Sequence, residues 1–362
     1  MGVNADVVIV GAGLIGASAA LAIADAGGDV QCLTRSRPGA ASEAAAGMLA
    51  PSMELAETGI ANIAMAARDL FPAFVGQLCE RTGMNIELNR AGLVQLAADA
   101  REGELLSDAV RKRGEWLEGD DIRSVEPGLV ARNGAALWPD DGAVDSTQLL
   151  AALHAAIRHH RRVTVTESGA VSLAPTDDGI SVVTDAGTRV QRSRAVIAAG
   201  AWSGQLRGAR FAEAIQPVRG QLVEFGRQVL THVVYGPDCY LVPRGGNTIA
   251  GSTMEWVGFD PRTTDDAVAR LTAAAIALCP ALEGASVRSW AGLRPVTPDL
   301  LPLLGPDPRQ PTLIYACGHS RNGVLLTPLT ANLLKEMIFE ENLTFDTDRF
   351  RPERFAGTFT VT

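Results

Sequence analysis

Asp6-Val7-Val8-Ile9-Val10-Gly11-Ala12-Gly13-Leu14-Ile15-Gly16 is a β-branched run that breaks into three spaced glycines and then into an alanine-rich segment reaching about Ala26. The run predicts a buried strand, the alanine-rich segment a helix, and Gly27-Gly28 its stop before a second strand over 29–33. A strand, a glycine turn, a helix and a strand within about thirty residues make the unit that binds dinucleotides. Gly11 permits the tight turn, Gly13 lets the backbone approach a pyrophosphate, and Gly16 lets the helix pack closely on the strand. The N–H groups of the first helical turn, with the partial positive charge there, then face the phosphates.

Working outward, the unit sits in a chain of 362 residues, long enough for two interlocked domains, with 47% apolar and 20% charged residues. The net charge of −9 argues against a nucleic-acid surface, which needs a local basic excess. The five cysteines (Cys32, Cys79, Cys239, Cys279, Cys317) are scattered without a CxxC pair, so neither a disulfide framework nor a metal site is expected. Residues 7–10 run straight into a glycine turn and read as a strand, not a signal peptide, and no run approaches the ~18–20 apolar residues of a membrane span. A reducing cytoplasm is therefore the expected location.

Farther along, the patterns predict a helix over 61–81 ending near Gly83, a strand over 93–96, and a helix over 147–160 capped by Asp145 or Ser146. Strands follow over 163–166, 180–184 and 189–191, with a turn at Gly187, and another over 195–198. Strands over 221–225, 240–243 and 248–252, joined by Pro/Gly turns, suggest an antiparallel sheet. A helix over 265–278, strands over 287–293 and 312–316, and a helix over 328–339 complete the reading. The fold class is α/β: a discontinuous Rossmann-like nucleotide-binding domain (1–85, 145–215, 305–362) and an α+β substrate domain built on an antiparallel sheet (86–144, 216–304).

The glycine motif alone leaves FAD, NAD and NADP open. The second strand should end in an acid for the adenosine ribose, yet Thr34 and Arg35 stand there, and an arginine is what an NADP site would use. The run Ala41-Ser42-Glu43-Ala44-Ala45-Ala46-Gly47-Met48-Leu49-Ala50-Pro51 keeps side chains small, so a backbone can pass against a flat ring system; its plain reading is an alanine-rich helix start. Three further stretches accompany it: Ala199-Gly200-Ala201-Trp202-Ser203, Cys239-Tyr240-Leu241-Val242-Pro243-Arg244 and Ala291-Gly292-Leu293-Arg294-Pro295. Residues 318–326, opening Gly318-His319-Ser320-Arg321-Asn322-Gly323, close the series.

In this order, over almost the whole chain, the motifs resemble those of the bacterial glycine oxidases, within the D-amino-acid oxidase family. The resemblance implies non-covalent FAD, oxidative deamination of a small amino acid or amine with dioxygen as oxidant, and often a role in making the thiazole of thiamine. It is compatible with a homo-oligomer and implies no membrane or nucleic-acid partner. By resemblance, Arg294, Tyr240 and Arg321 are the substrate-contacting and catalytic residues, with Met48 and Met254 as apolar walls. The physics agrees for Arg294, whose planar fork suits a carboxylate. FAD contacts by resemblance are Gly11, Gly13, Leu14, Ile15, Gly16, Thr34, Arg35, Ser42, Ala46, Gly47, Met48, Ala170, Gly200 and Trp202. The last loop adds His319, Ser320, Arg321, Asn322, Gly323, Val324 and Leu325, set against the flavin edge that gathers negative charge on reduction. Cys317 reads as an ordinary buried thiol. The alternatives are a sarcosine or D-amino-acid oxidase or dehydrogenase and, in another class, an NADP-binding reductase. A tRNA-modifying relative is disfavoured by the acidic balance.

Overall fold

The strand Asp6–Val10 is one of the two central strands of the six-stranded sheet on which the nucleotide half is assembled. In the computed structural model, which describes residues 5–54, 60–111 and 113–357, it pairs in parallel with Asp29–Thr34 on one side and Arg194–Ile197 on the other. Val163–Glu167 and Leu313–Cys317 extend the sheet outward, and Leu303–Pro306 closes one edge antiparallel. Such strands are buried on both faces, which is why they read as continuous apolar runs. One face is covered by the helices Leu14–Asp25, Ser146–His159 and Thr327–Phe339. The other carries a small antiparallel sheet, Ala170–Thr176, Gly179–Thr184 and Arg189–Arg192, with Phe211 and Tyr315 edge to face at 6.0 Å.

The helix Leu14–Asp25 is nearly all alanine and small residues because it is buried almost all round, between sheet and neighbouring helices. The helix Ser146–His159 is capped by Asp145, whose carboxylate accepts from the N–H groups of Thr147 and Gln148 at 2.9 and 3.0 Å. The single helix expected over 61–81 is instead two, Ala61–Asp69 and Phe71–Thr82, meeting at Leu70. Pro72, lacking an N–H, opens the second helix and cannot continue the first. Gly83, at φ 68°, ends it in the left-handed region.

Among the described residues the second large sheet has eight strands, in the order Val287–Val296, Gln216–Phe225, Asn247–Gly251, Tyr240–Arg244, Val233–Tyr235, Leu93–Leu96, Ala135–Trp138, Glu115–Leu117. Its longest pair, Gln216–Phe225 with Val287–Val296, is antiparallel over ten matched residues. The helix Asp265–Leu278 packs on one face. The other face turns toward Ala46, Ala50 and Ala143, and so toward the nucleotide half. A three-stranded sheet of Met48–Leu49, Gly142–Val144 and Leu88–Asn89 carries the chain between the halves. The mixed α/β class is thus the observed fold, and the substrate sheet is antiparallel except for one parallel pair, Val233–Tyr235 with Leu93–Leu96, with more strands than the sequence patterns gave. No helix of the described residues is long and apolar enough to cross a membrane.

Candidate active site

A single cavity of about 990 Å³ runs from the first glycine turn to the face of the eight-stranded sheet. That is the upper end of the size of small-molecule sites, enough for a dinucleotide with a small second ligand.

At its nucleotide end, Gly11 holds φ +102°, and a Cβ there would lie 2.4 Å from the Ala198 carbonyl oxygen. Gly13 is the N-cap of the helix and offers no side chain, so the first turn stays open to a ligand. A Cβ on Gly13 would meet the Ser42 hydroxyl at 2.9 Å, and that hydroxyl accepts from the Leu14 N–H at 3.0 Å. Gly16 lies beneath, where a Cβ would strike the Gly11 carbonyl at 1.8 Å. His154 holds the turn from the side, its Nε2 2.6 Å from the Ala12 carbonyl.

Thr34, Arg35 and Arg37 line the cavity at the end of the second strand. Arg35 is paired with Asp185 at 2.8 Å, and Asp185 also accepts from the Ser168 hydroxyl and the Gly169 N–H. A carboxylate does reach this end of the cavity: Glu167, opposite Thr34 in the parallel ladder, lines the same wall as Ala170. Arg37 lies over the Trp202 ring at 5.3 Å, and Trp202 stacks on Phe259 at 5.8 Å.

In the middle, the run 44–47 is clamped from two sides. Trp290 donates its indole N–H to the Ala44 carbonyl at 2.9 Å. Arg244 donates to the Ala45 carbonyl at 3.0 Å, which also accepts from the Ser146 hydroxyl at 2.7 Å. Gly47 follows at φ +93°, where a Cβ would sit 1.9 Å from the Val144 carbonyl oxygen. Opposite, Gly200 and Trp202 line the wall with His319, Ser320, Arg321, Gly323 and Val324. His319 is buried, its Nε2 3.2 Å from the Thr330 hydroxyl, and burial pulls its pKa down to about 4, so the ring is neutral. Ser320 sits at φ 50°, a left-handed conformation that costs a non-glycine residue energy and recurs at functional loops. Cys317, also on the wall, has its thiol pushed up to about 12 by burial and is no thiolate.

At the far end stand Arg294 and Tyr240. Arg294, on Val287–Val296, is opposite Val218, and Tyr240, opening Tyr240–Arg244, is opposite Gly251. The Arg294 guanidinium lies across Gly220, where a Cβ would be 2.1 Å from Nη1, and the Tyr240 ring lies across Gly251, where a Cβ would be 2.5 Å from the hydroxyl. Arg294 donates from Nη1 to the Thr253 carbonyl at 3.0 Å and from Nη2 to the Ser252 hydroxyl at 2.5 Å. Burial raises the Tyr240 pKa above the usual phenol value, against the opposing pull of the Arg294 charge, so the hydroxyl stays protonated.

Of the residues singled out from the sequence, Gly11, Gly13, Leu14, Ile15, Thr34, Arg35, Ser42, Ala46, Ala170, Gly200, Trp202, His319, Ser320, Arg321, Gly323, Val324, Tyr240 and Arg294 line this one cavity. Gly16, Gly47, Met48, Asn322 and Leu325 stand behind the wall, and Met254 is 49% exposed on the loop after Asn247–Gly251. Met254 does not line the cavity, and its neighbour Glu255 is tied to the buried Arg219 at 2.9 Å. Gly220 and Gly251 escaped the sequence reading. The available signal was a glycine inside an apolar strand, which marks a close approach by another group.

Residues 6–337 match the family described as FAD dependent oxidoreductase. The chain is 35% identical, over 97% of its own length and 97% of the relative's, to a glycine oxidase of Geobacillus kaustophilus. It is equally similar, at 35% identity, to a bifunctional ThiO/ThiG protein of Synechocystis sp., but there it spans 99% of itself and 55% of the relative, about half that length. A glycine oxidase of Pseudomonas putida is 32% identical over 97% of this chain and 99% of that protein. The crystal structure of the Geobacillus kaustophilus glycine oxidase superimposes with a TM-score of 0.90 at 32% identity, covering 96% of this chain and 98% of that one.

Proposed function

The chain belongs to the FAD dependent oxidoreductase family, and on that premise we propose that it oxidises glycine, or an amino acid or amine of similar size, to the 2-oxo acid, ammonia and hydrogen peroxide. One observation carries the reading. Arg294 and Tyr240, two donors from separate strands, converge on the wall of the cavity that begins at the glycine turn. The relatives named glycine oxidase, aligned over nearly the whole chain, support the choice of substrate.

FAD fits the cavity by the test of its glycines: without side chains at Gly11 and Gly13 the turn closes on the Ala198 carbonyl and the Ser42 hydroxyl, leaving the first helical turn open to a pyrophosphate. Residues 11–15 and Ser42 would hold the pyrophosphate, and Thr34, Arg35 and Ala170 the adenosine. Ala46, Gly200, Trp202 and the loop 319–324 would hold the ring. The chemistry that FAD supplies when bound is acceptance of a hydride equivalent from the substrate Cα, with dioxygen as the final oxidant. Arg294 binds the substrate carboxylate by two parallel N–H···O bonds. Tyr240, protonated, donates a third, and Arg321 lines the same cavity. Three fixed donors orient the Cα–H bond, and orientation of this kind supplies much of the rate. Neutral His319 serves as a hydrogen-bonding strut of the loop. The released imine is hydrolysed by water.

Arg35 alone pointed to NADP, and its charge is already engaged by Asp185. A cytoplasmic location, a homo-oligomeric state and a place in thiamine biosynthesis extend the same proposal.

Peroxide release with glycine, sarcosine and D-alanine tests the substrate. Arg294→Ala is expected to stay yellow, absorbing near ~450 nm, while its Michaelis constant for glycine rises ~10²–10³-fold, the cost of about 3–4 kcal/mol for removing a half-buried charged donor. Unchanged kinetics in that variant would remove Arg294 from its role. A colourless protein that takes up no flavin would remove the reading altogether.

A further inference from the structure

Resting on the reading of Arg294 and Tyr240 as the carboxylate clamp, we propose that Ser252 is the positioning residue that aims the Arg294 fork, and so makes the site selective for amines bearing a carboxylate. Ser252 follows the strand Asn247–Gly251 and lies outside the cavity wall. Its hydroxyl accepts from Arg294 Nη2 at 2.5 Å.

The direction of this bond follows from what each group can do. A guanidinium has donors and no acceptor, so toward Arg294 the serine oxygen accepts. One hydroxyl thereby holds the guanidinium fork flat over Gly220. Two donors aimed at one point bind a carboxylate and leave a neutral group unrewarded.

The hydroxyl is itself held in place. The Thr253 carbonyl accepts from Arg294 Nη1 at 3.0 Å. Thr253 Oγ1 accepts from the Gln221 N–H at 3.0 Å and donates to Glu255 at 3.0 Å. Glu255 is paired with the buried Arg219 at 2.9 Å. A serine on so anchored a segment can impose a geometry on its neighbours.

The test uses the FAD-loaded enzyme and acetate, a carboxylate without an amine, whose binding is followed by perturbation of the flavin spectrum. In Ser252→Ala the dissociation constant for acetate and the Michaelis constant for glycine are expected to rise about tenfold, as for loss of a bond to a charged group. The kcat at saturating glycine should move less than twofold, and flavin content and thermal midpoint should hold. Should the alanine variant fail to accumulate, Ser252→Cys keeps the volume with a poor hydrogen-bonding group and is expected to weaken acetate at least fivefold. Equal acetate binding in variant and parent overturns the role of Ser252 and leaves the clamp standing. A fall in kcat with unchanged affinity overturns it as well. Failure of the parent enzyme to bind either acetate or glycine overturns the clamp and this inference together.

Discussion

The two ends of the cavity are built in opposite ways. At the proposed nucleotide end the wall is backbone from one continuous stretch, residues 11–15, and the glycines work by having no side chain. At the proposed carboxylate end the groups are side chains, Arg294 and Tyr240, delivered by two separate strands and brought together by register. Glycines serve here too, but in another sense. Gly220 and Gly251 make room for a neighbour's side chain, whereas Gly11 and Gly16 make room for backbone. The difference teaches where rigidity comes from: a turn is fixed by its own sterics, a clamp by the strands beneath it.

The contrast is open to breaking. Gly11→Val should have the largest effect, since its Cβ would press to 2.4 Å on a carbonyl that cannot swing away, at φ +102°. A loss of more than about 4 kcal/mol and no flavin uptake are expected, read from urea unfolding and absorbance. A stable yellow Gly11→Val protein would show that the turn tolerates what its sterics forbid.

The seam between the two ends runs through His319, whose backbone bridges to Val296, two residues beyond Arg294. Its pKa falls from 6.5 in the unfolded chain to about 4 through burial. A depressed folded value means the contribution to stability is fully present above about pH 6.5 and is lost as pH falls through 4, up to about 3 kcal/mol. Urea midpoints taken at pH 7 and pH 4.5 should differ accordingly, and His319→Gln should flatten that dependence. An unaltered slope in the variant would assign the acid sensitivity elsewhere.

Gly251→Ala should have the smallest effect and the most selective one. The clash at 2.5 Å is with the tip of Tyr240, which can move. A stability cost of about 1–2 kcal/mol is expected, with full flavin content and a Michaelis constant for glycine raised roughly tenfold, as for one lost hydrogen bond. Equal damage to flavin binding would erase the distinction between the two ends.

Legibility followed the same division. The strand–turn–helix start could be read directly, because every group that shapes it lies within about thirty residues. The helix Asp265–Leu278 was legible from its period and its flanks. The break at Leu70 was missed, although Pro72 announces it, because the apolar period runs on through the proline. The strands Glu115–Leu117 and Ala135–Trp138 were missed because, at three and four residues, their pairing in the sheet defines them more than their composition does. Arg294 and Tyr240 were picked out through a resemblance of motifs; nothing local to either distinguishes a clamp from a salt bridge or a core tyrosine. Arg35 shows the converse, since a residue chosen by its place after the second strand has its partner, Asp185, on a hairpin 150 positions away.

By itself, then, the sequence determined the nucleotide turn, the α/β class and the small-residue run against which a ring can lie. These depend on local sterics and on the period of apolar residues, which travel with the chain. Tertiary structure alone decided that Gly220 and Gly251 lie beneath the guanidinium and the phenol, that Ser252 accepts from the guanidinium, and that Met254 is exposed. Those relations are set by strand register, and a shift of one residue would send each of these side chains to the opposite face of the sheet.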